Sequence, residues 1–153
     1  MFKFVNVDIE KCSGCRVCEY TCSLQKNKTF NPARSMIRAI RIYPNTNAAL
    51  NCRLCTDPIC VLNCPRKALS QCDETGIINV NDDLCNGCGW CIKMCEYGAI
   101  ILEPKSSDSN KSVVRMCDLC KDRENGPACV EWCPEEALEL STTDQFAKKD
   151  AEN

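Results

Sequence analysis

Cysteine is the residue type whose number and spacing could do chemistry in this chain. The 153-residue sequence contains 17 cysteines, and sixteen of them fall into four groups of four. The groups are Cys12, Cys15, Cys18 and Cys22; Cys52, Cys55, Cys60 and Cys64; Cys85, Cys88, Cys91 and Cys95; and Cys117, Cys120, Cys129 and Cys133. Every group begins with C-x-x-C and ends with C-x-x-x-C, so the same arrangement of thiols repeats four times along the chain.

Thiols at this spacing are typical of iron–sulfur clusters. A 4Fe–4S cluster needs four thiolates, and gaps of two residues let one tight loop supply three of them. Gly14, Gly87 and Gly89 lie inside these gaps, where glycine tolerates a positive φ. The wider last gap places Cys18 and Cys22 about one helical turn apart, and in two-cluster ferredoxins the fourth cysteine binds the other cluster. Four groups therefore predict two cross-linked pairs and four 4Fe–4S clusters.

Zinc sites and a disulfide framework are the alternatives for so many thiols. C-x-x-C pairs also build zinc ribbons, and the fourth group could pass for one. Three closely spaced cysteines followed by a fourth do not suit an isolated zinc site, and the absence of histidine excludes Cys2His2 zinc, Rieske clusters and histidine triads. An odd cysteine count and the lack of a secretory signal argue against disulfides and predict a cytoplasmic protein.

One cysteine stands outside the groups. Cys72 is predicted to have no role, and a redox-active thiol is the alternative. The neighbouring Asp73 and Glu74 are expected to raise the pKa of its thiol and so to work against reactivity.

Eight basic residues adjoin the grouped cysteines in sequence. They are Lys11, Arg16, Arg53, Arg66, Lys67, Lys93, Arg115 and Lys121. Two interpretations stay open: they are solvated surface charges, or some of them raise cluster potentials.

Short elements must position the cysteine loops. Apolar, β-branched runs predict strands at residues 4–9, 35–43, 76–80, 99–103, 112–116 and 137–140. Each C-x-x-x-C gap opens a short apolar helical stretch, so strand, cysteine loop, helix and strand form the repeating unit.

Other spans are predicted to be irregular. The turn-rich residues 43–51 predict a linker, the polar residues 103–112 an exposed loop, and residues 141–153 a polar C-terminal tail. No apolar run is long enough to cross a membrane, and a net charge of −2 gives no basic excess for nucleic acid.

At these motifs the chain resembles the four-cluster ferredoxin-like electron-transfer subunits of dimethyl sulfoxide reductase, formate dehydrogenase and hydrogenase systems. "CRLCTDPICVLNCP" and "CDLCKDRENGPACVEWCP" have the widened middle gaps of that family. "NPARSMIRAIRI" and "CNGCGWCIKMC" are most similar to the small ferredoxin subunits beside tungsten aldehyde oxidoreductases. The resemblance implies an α+β fold of two interlocked bacterial-ferredoxin-like modules within residues 1–140. Module one would hold the groups at 12–22 and 117–133, and module two those at 52–64 and 85–95.

The resemblance also implies which cysteines share a cluster. Site A would take Cys12, Cys15, Cys18 and Cys133; site B would take Cys117, Cys120, Cys129 and Cys22; site C would take Cys52, Cys55, Cys60 and Cys95; and site D would take Cys85, Cys88, Cys91 and Cys64. Proline follows the last cysteine of the second and fourth groups, at Pro65 and Pro134, whereas Ser23 and Glu96 take that place in the others. The geometry of the exit from the loop is therefore expected to differ between the two kinds of group.

The implied function is non-catalytic electron transfer. Single electrons would pass through four 4Fe–4S clusters between a catalytic oxidoreductase subunit, with a tungsten or molybdenum pterin enzyme favoured, and a second donor or acceptor protein. The alternatives are a nickel carbon monoxide dehydrogenase or hydrogenase as partner, a free-standing polyferredoxin, and a small iron–sulfur enzyme. Full cysteine ligation and the lack of a Gly-rich phosphate loop argue against the last. Neither nucleic acid nor direct membrane insertion is expected.

Overall fold

Short strands and helices alternate along the chain, as the cysteine spacing requires. The computed structural model describes residues 2–142. The elements are β1 (Lys3–Val7), α1 (Val17–Asn27), β2 (Ile37–Ile42), β3 (Thr46–Asn51), α2 (Ile59–Leu62), β4 (Leu69–Gln71), β5 (Ile78–Val80), α3 (Trp90–Met94), β6 (Ile101–Lys105), β7 (Asp108–Arg115), α4 (Ala128–Glu131) and β8 (Leu138–Thr142), with a 3₁₀ turn at Pro32–Arg34. The predicted α+β class is confirmed.

Within residues 2–142 the strands form four separate two-stranded antiparallel sheets, β1–β8, β2–β3, β4–β5 and β6–β7. Three of them are local hairpins. The fourth joins the two ends of the described chain, with Lys3 opposite Thr142 and Val7 opposite Leu138. This pairing brings the first and last cysteine groups together.

The helices are short because the cysteine motifs end them. α2 and α4 are single turns that stop before Cys64–Pro65 and Cys133–Pro134. A residue that precedes proline disfavours the α region, so neither helix continues. α1 has no proline after Cys22 and runs three turns, ending at Asn27 before Lys28 in the left-handed region.

Two spans predicted as irregular are parts of hairpins, so those predictions were wrong. Within residues 43–51, strand β3 pairs with β2, and its Ala48 and Ala49 are buried. Within residues 103–112, β6 and β7 pair, continuing from Leu102 opposite Val114. The turn-forming and polar residues lie at the hairpin tips and at solvent-facing positions. Because these residues interrupt the apolar alternation of a strand, the sequence pattern did not predict the pairing.

In the part of the chain that the structure describes, buried side chains form two clusters. One packs Leu54, Leu69, Ile78 and Val114 around grouped cysteines, and the other packs Val5, Ile37 and Leu138. The division into two modules within residues 1–140 stays a prediction.

β8 extends to Thr142, so the first two residues of the predicted tail at 141–153 belong to a strand, and residues 143–153 lie outside the described residues. No helix in residues 2–142 is long and apolar enough to cross a membrane.

Candidate iron–sulfur sites

All four cysteine loops turn in the same way. The third residue of each C-x-x-C has a left-handed backbone: φ is +73° at Gly14, +48° at Leu54, +68° at Gly87 and +56° at Leu119. This conformation reverses the chain direction between the two cysteines, so successive thiols can face one point. Glycine adopts it at no steric cost, whereas Leu54 is held there by a core in which it is only 2% exposed.

Two of the predicted ligand sets each line one small, mainly apolar pocket. All four site A cysteines line a pocket with Ala39, Ala49 and Leu138. All four site D cysteines line another with Ala68, Leu69 and Val114. In both cases three thiols come from one loop, and the fourth, Cys133 or Cys64, comes from a different group.

The closeness of the thiols in sites B and C is evident from their effects on each other's pKa values. Burial raises the pKa of Cys52 to about 12, and the thiols that add to this rise are those of Cys60, Cys55 and Cys95, the rest of site C. Burial also raises the pKa of Cys129, with contributions from Cys117, Cys22 and Cys120, the rest of site B. The structure thus brings together each of the four predicted sets, while ligation itself stays a prediction.

The four sites follow one another in the order A, B, C, D. The charge of the Cys18 thiol in site A contributes to the raised pKa of Cys129 in site B. The Cys52 thiol of site C contributes in the same way to the raised pKa of Cys117 in site B. Burial raises the pKa of Cys91 in site D to about 11, and the Cys60 thiol of site C adds to this rise. These three contacts join the four sites into a continuous path.

Exposure differs between the ends and the middle of this path. Among the grouped cysteines, only Cys15 of site A and Cys88 of site D are exposed. The cysteines of sites B and C are buried or half-buried. The path therefore reaches the surface at its two ends.

Backbone N–H groups are directed at the sulfurs. In the two Cys-Pro groups the amide four residues on donates to the thiol: Ala68 to Cys64 Sγ at 3.3 Å and Ala137 to Cys133 Sγ at 3.4 Å. Lys67 and Glu136 make this turn with φ of +50° and +48°. In the first group, which lacks the proline, the donor to Cys22 Sγ is the distant Met36 at 3.4 Å. The expected difference in exit geometry is therefore present in the first group. It is absent in the third group, where Gly98 has φ of +57° and donates to the Cys95 carbonyl as Lys67 and Glu136 do after Cys64 and Cys133.

The donor set fits iron–sulfur clusters. All 17 cysteines are free thiols. Within the described part of the chain, no three or more His, Cys, Asp or Glu side chains are placed to hold one metal ion. Four thiols arranged around a shared pocket, with N–H donors on their sulfurs, match the needs of a 4Fe–4S cluster. Burial raises the pKa of Cys18 to about 12, so the thiol gives up its proton only when iron replaces it.

Cys72 departs from its prediction. Its thiol pKa is lowered, not raised, because the side chain and backbone N–H of Thr75 and the backbone of Glu74 hydrogen-bond to the sulfur. The carboxylate of Glu74 does raise the pKa as expected, but this effect is smaller than that of the hydrogen bonds.

Known proteins share this pattern over most of the chain. A family model described as "4Fe-4S dicluster domain" matches residues 46–143, which contain the second, third and fourth groups. "Electron transport protein HydN" of Escherichia coli (strain K12) is 35% identical, over 90% of this chain and 87% of its own. "Aliphatic sulfonate oxidoreductase, polyferredoxin-like subunit" of Pyrococcus furiosus is 40% identical, over 87% of this chain and 74% of its own. The protein AegA of Escherichia coli (strain K12) is 36% identical over 93% of this chain, which spans only 22% of AegA.

A solved structure shares the fold. One chain in "Active site complex BamBC of Benzoyl Coenzyme A reductase in complex with Benzoyl-CoA" aligns with a TM-score of 0.51 and 26% identity. The alignment covers 97% of this chain and 87% of that one. The predicted resemblance to multi-cluster ferredoxin subunits is confirmed.

Proposed function

Because this chain belongs to the 4Fe–4S dicluster domain family, we propose that it is the electron-transfer subunit of an oxidoreductase and that it holds four 4Fe–4S clusters. The observation that carries this function is the continuous path of thiol sets from the exposed Cys15 to the exposed Cys88. Bound clusters supply one-electron acceptance and release. Relatives named as an electron transport protein and as a polyferredoxin-like subunit support a non-catalytic role.

The chain's own residues perform three tasks in this function. The left-handed turns direct the thiols of each loop towards one point, and apolar neighbours such as Val114 exclude water from the site D pocket. The amides of Ala68 and Ala137 stabilise negative charge on sulfur. No acid, base or nucleophile is required, because an electron moves without any bond to substrate being made.

The sixteen grouped cysteines are the proposed ligands, in the sets A to D. The pairing can be tested by non-additivity, because two ligands of one cluster can only lose that cluster once. Cys15→Ser and Cys133→Ser should each reduce the iron content from about 16 to about 12 atoms per chain, and the double variant should also hold about 12. Cys15→Ser with Cys129→Ser removes ligands of sites A and B and should leave about 8.

Iron analysis and electron paramagnetic resonance after anaerobic reconstitution provide the measurement. Cys72→Ser is the matched control and should keep the full iron content. A Cys15→Ser/Cys133→Ser variant that loses two clusters would refute the cross-linked pairing. A wild-type chain with far fewer than about 16 iron atoms would refute the cluster inventory itself.

The proposed partner is a tungsten or molybdenum pterin enzyme in the cytoplasm, with a second redox protein at the other end of the path. The relative named as a polyferredoxin-like subunit of an oxidoreductase supports an oxidoreductase as partner. The choice of a tungsten or molybdenum enzyme is supported by the sequence resemblance to subunits of tungsten enzymes. Anaerobic affinity purification with elemental analysis tests it. Tungsten or molybdenum in the complex is the expected result. Nickel would favour a carbon monoxide dehydrogenase or hydrogenase, and iron with no second chain would favour a free-standing polyferredoxin.

A further inference from the structure

A polar cavity lies beside the site A pocket, at one of the two ends where the path of thiols reaches the surface. Its volume is about 300 Å³, and residues of the first cysteine loop and of the β2–β3 hairpin line it, among them Arg16, Arg41 and Asn47. The residues that also line the site A pocket are Ser13, Gly14, Arg16 and Ala39. The cavity therefore adjoins the proposed cluster site, and Arg16 directly follows the exposed Cys15.

Two guanidinium groups give this cavity its charge. Arg16 belongs to the cysteine loop and Arg41 to β2, and both residues are exposed. Within residues 2–142, neither of them forms an ion pair. Glu135 lines the site A pocket but not this cavity. Two positive charges around one space attract a carboxylate, whose oxygens can accept hydrogen bonds from both guanidiniums.

The residue at the Arg16 position differs between the two end groups. Arg16 follows the second cysteine of the first group, and Gly89 follows the second cysteine of the third group. Both have a left-handed backbone, with φ of +64° and +74°. This conformation costs free energy for arginine but not for glycine. The first loop thus places a guanidinium where the backbone favours glycine, and residues held in such strain cluster at functional sites.

The hairpins that cover the two loops differ in the same way. A Cβ on Gly14 would lie 2.7 Å from Oδ1 of Asn47, and the residue opposite Asn47 in the β2–β3 pairing is Arg41. In the β6–β7 hairpin the residue that covers the third loop is Ser112, and the residue opposite Ser112 is Pro104. Neither arginine of the cavity therefore has a counterpart at the equivalent position beside site D.

We propose that the cavity between Arg16 and Arg41 receives a carboxylate side chain of the redox protein that exchanges electrons with site A. The occupant is an Asp or Glu of a protein, because a redox partner has to approach this exposed loop for an electron to pass. A single base, Arg66, lines the site D pocket, so the paired guanidiniums distinguish the two ends of the path. Charge pairing of this kind speeds encounter and orients the partner. The inference rests on the proposed function and adds the chemistry of the partner at this end.

The test is the rate at which dithionite-reduced holoprotein passes one electron to each of two small probes, measured by stopped flow at low ionic strength. One probe is the anionic iron(III) complex of EDTA, which presents carboxylates and is reduced to iron(II). The other is the hexaammineruthenium(III) cation, which is reduced to ruthenium(II). Arg16→Gln and Arg41→Gln should each slow the reaction with the anion about twofold to fivefold, and added salt should remove the difference. Neither variant should slow the reaction with the cation, and Arg41→Lys should keep most of the wild-type rate with the anion.

Arg38→Gln is the matched control. Arg38 is an exposed arginine on the same strand, but it does not line the cavity, so both rates should stay close to wild type. Equal slowing of the anionic probe in Arg38→Gln would show a general effect of net charge. Unchanged rates in Arg16→Gln and Arg41→Gln at full iron content would show that the cavity does not recognise a carboxylate. Either result would overturn the inference and leave the proposed function intact.

Inorganic phosphate distinguishes a partner's carboxylate from a free anion. At constant ionic strength, phosphate should not inhibit the reaction of wild-type protein with the anionic probe. Inhibition that disappears in Arg41→Gln would identify a small-anion site and overturn the docking role. A wild-type chain that lacks the clusters would instead refute the proposed function, and the inference with it.

Discussion

At the scale of the residue, hydrogen bonding and burial give the thiols of this chain opposite properties. Burial raises the pKa of grouped thiols such as Cys18 and Cys52, so these stay protonated until a metal replaces the proton. Cys72 lies at the end of β4 in the turn before β5, where Thr75 stabilises its thiolate and lowers its pKa. One residue type thus serves as a proposed iron ligand at sixteen positions and as a half-buried thiol of lowered pKa at the remaining one.

The Cys72 thiol should react with alkylating agents at a pH where an ordinary thiol does not. The thiolate is the reactive form, so the rate should rise with pH through a midpoint below the ordinary value of 9.0. Thr75→Val removes the side-chain hydrogen bond and should move that midpoint upward. The measurement is the rate of iodoacetamide labelling of the anaerobic holoprotein across pH, with labelled Cys72 identified by mass spectrometry.

Cys72→Ser provides the blank for this experiment, because the remaining cysteines are protected while they hold iron. Equal midpoints in wild type and Thr75→Val would show that Thr75 does not lower the pKa of Cys72.

At the scale of the element, the cysteine loop depends on left-handed residues that differ in how tightly they are packed. Gly87 and Gly89 have φ of +68° and +74° within the same loop. A Cβ on Gly87 would lie 2.6 Å from the carbonyl oxygen of Ser112 on β7, whereas a Cβ on Gly89 would meet nothing within 4 Å. The two positions therefore separate the cost of the backbone conformation from the cost of a clash.

Gly87→Ala should disrupt site D far more than Gly89→Ala. The left-handed conformation costs either alanine about 1–2 kcal/mol, but Gly87→Ala must also displace β7. We expect Gly89→Ala to keep its iron with a modest loss of thermal stability, and Gly87→Ala to lose about four iron atoms, one cluster. Iron content and the thermal midpoint of both holoproteins provide the comparison. Equal behaviour of the two variants would show that the contact with Ser112 is unimportant.

The sequence predicted the local part of the sites and not the long-range part. Three-residue spacing fixes which thiols share a loop, since Cys12, Cys15 and Cys18 can only converge locally. The fourth member, Cys133, could be assigned only through the resemblance to a family, because pairing of β1 with β8 brings it close. The left-handed Leu54 and Leu119 were not predicted either. Their position in C-x-x-C, matching Gly14 and Gly87, was the available signal.

The missed hairpins have a similar physical cause. The outer half of β7, from Asp108 to Lys111, is polar and largely solvent-exposed, so the sequence lacks the alternation that marks a half-buried strand. The contacts of the Arg53 guanidinium with the rings of Phe4 and Tyr97 could not be predicted either, because both aromatic residues are distant from Arg53 in sequence. Such contacts depend on tertiary packing, which a local pattern does not encode.

At the scale of the whole molecule, the proposed clusters connect segments that the chain alone joins weakly. Seven of the grouped cysteines are buried, and both core clusters contain them. Sites A and B would tie the first cysteine group to the fourth, next to the pairing of β1 with β8. That pairing closes a loop of nearly the entire described chain, which is costly in entropy unless other bonds hold the ends together.

Removal of iron should therefore open the molecule unevenly. We expect β1 and β8 to lose their hydrogen-exchange protection when iron is extracted anaerobically with a chelator, because binding energy at the sites is also folding energy. β6 and β7 form a local hairpin with fully buried Val113 and Val114, so their amides should keep more protection. Hydrogen exchange with mass spectrometry compares the two sheets within one sample, and reconstitution with iron and sulfide should restore both. Native protection of β1 and β8 in iron-free protein would show that the polypeptide closes this long-range pairing without the clusters.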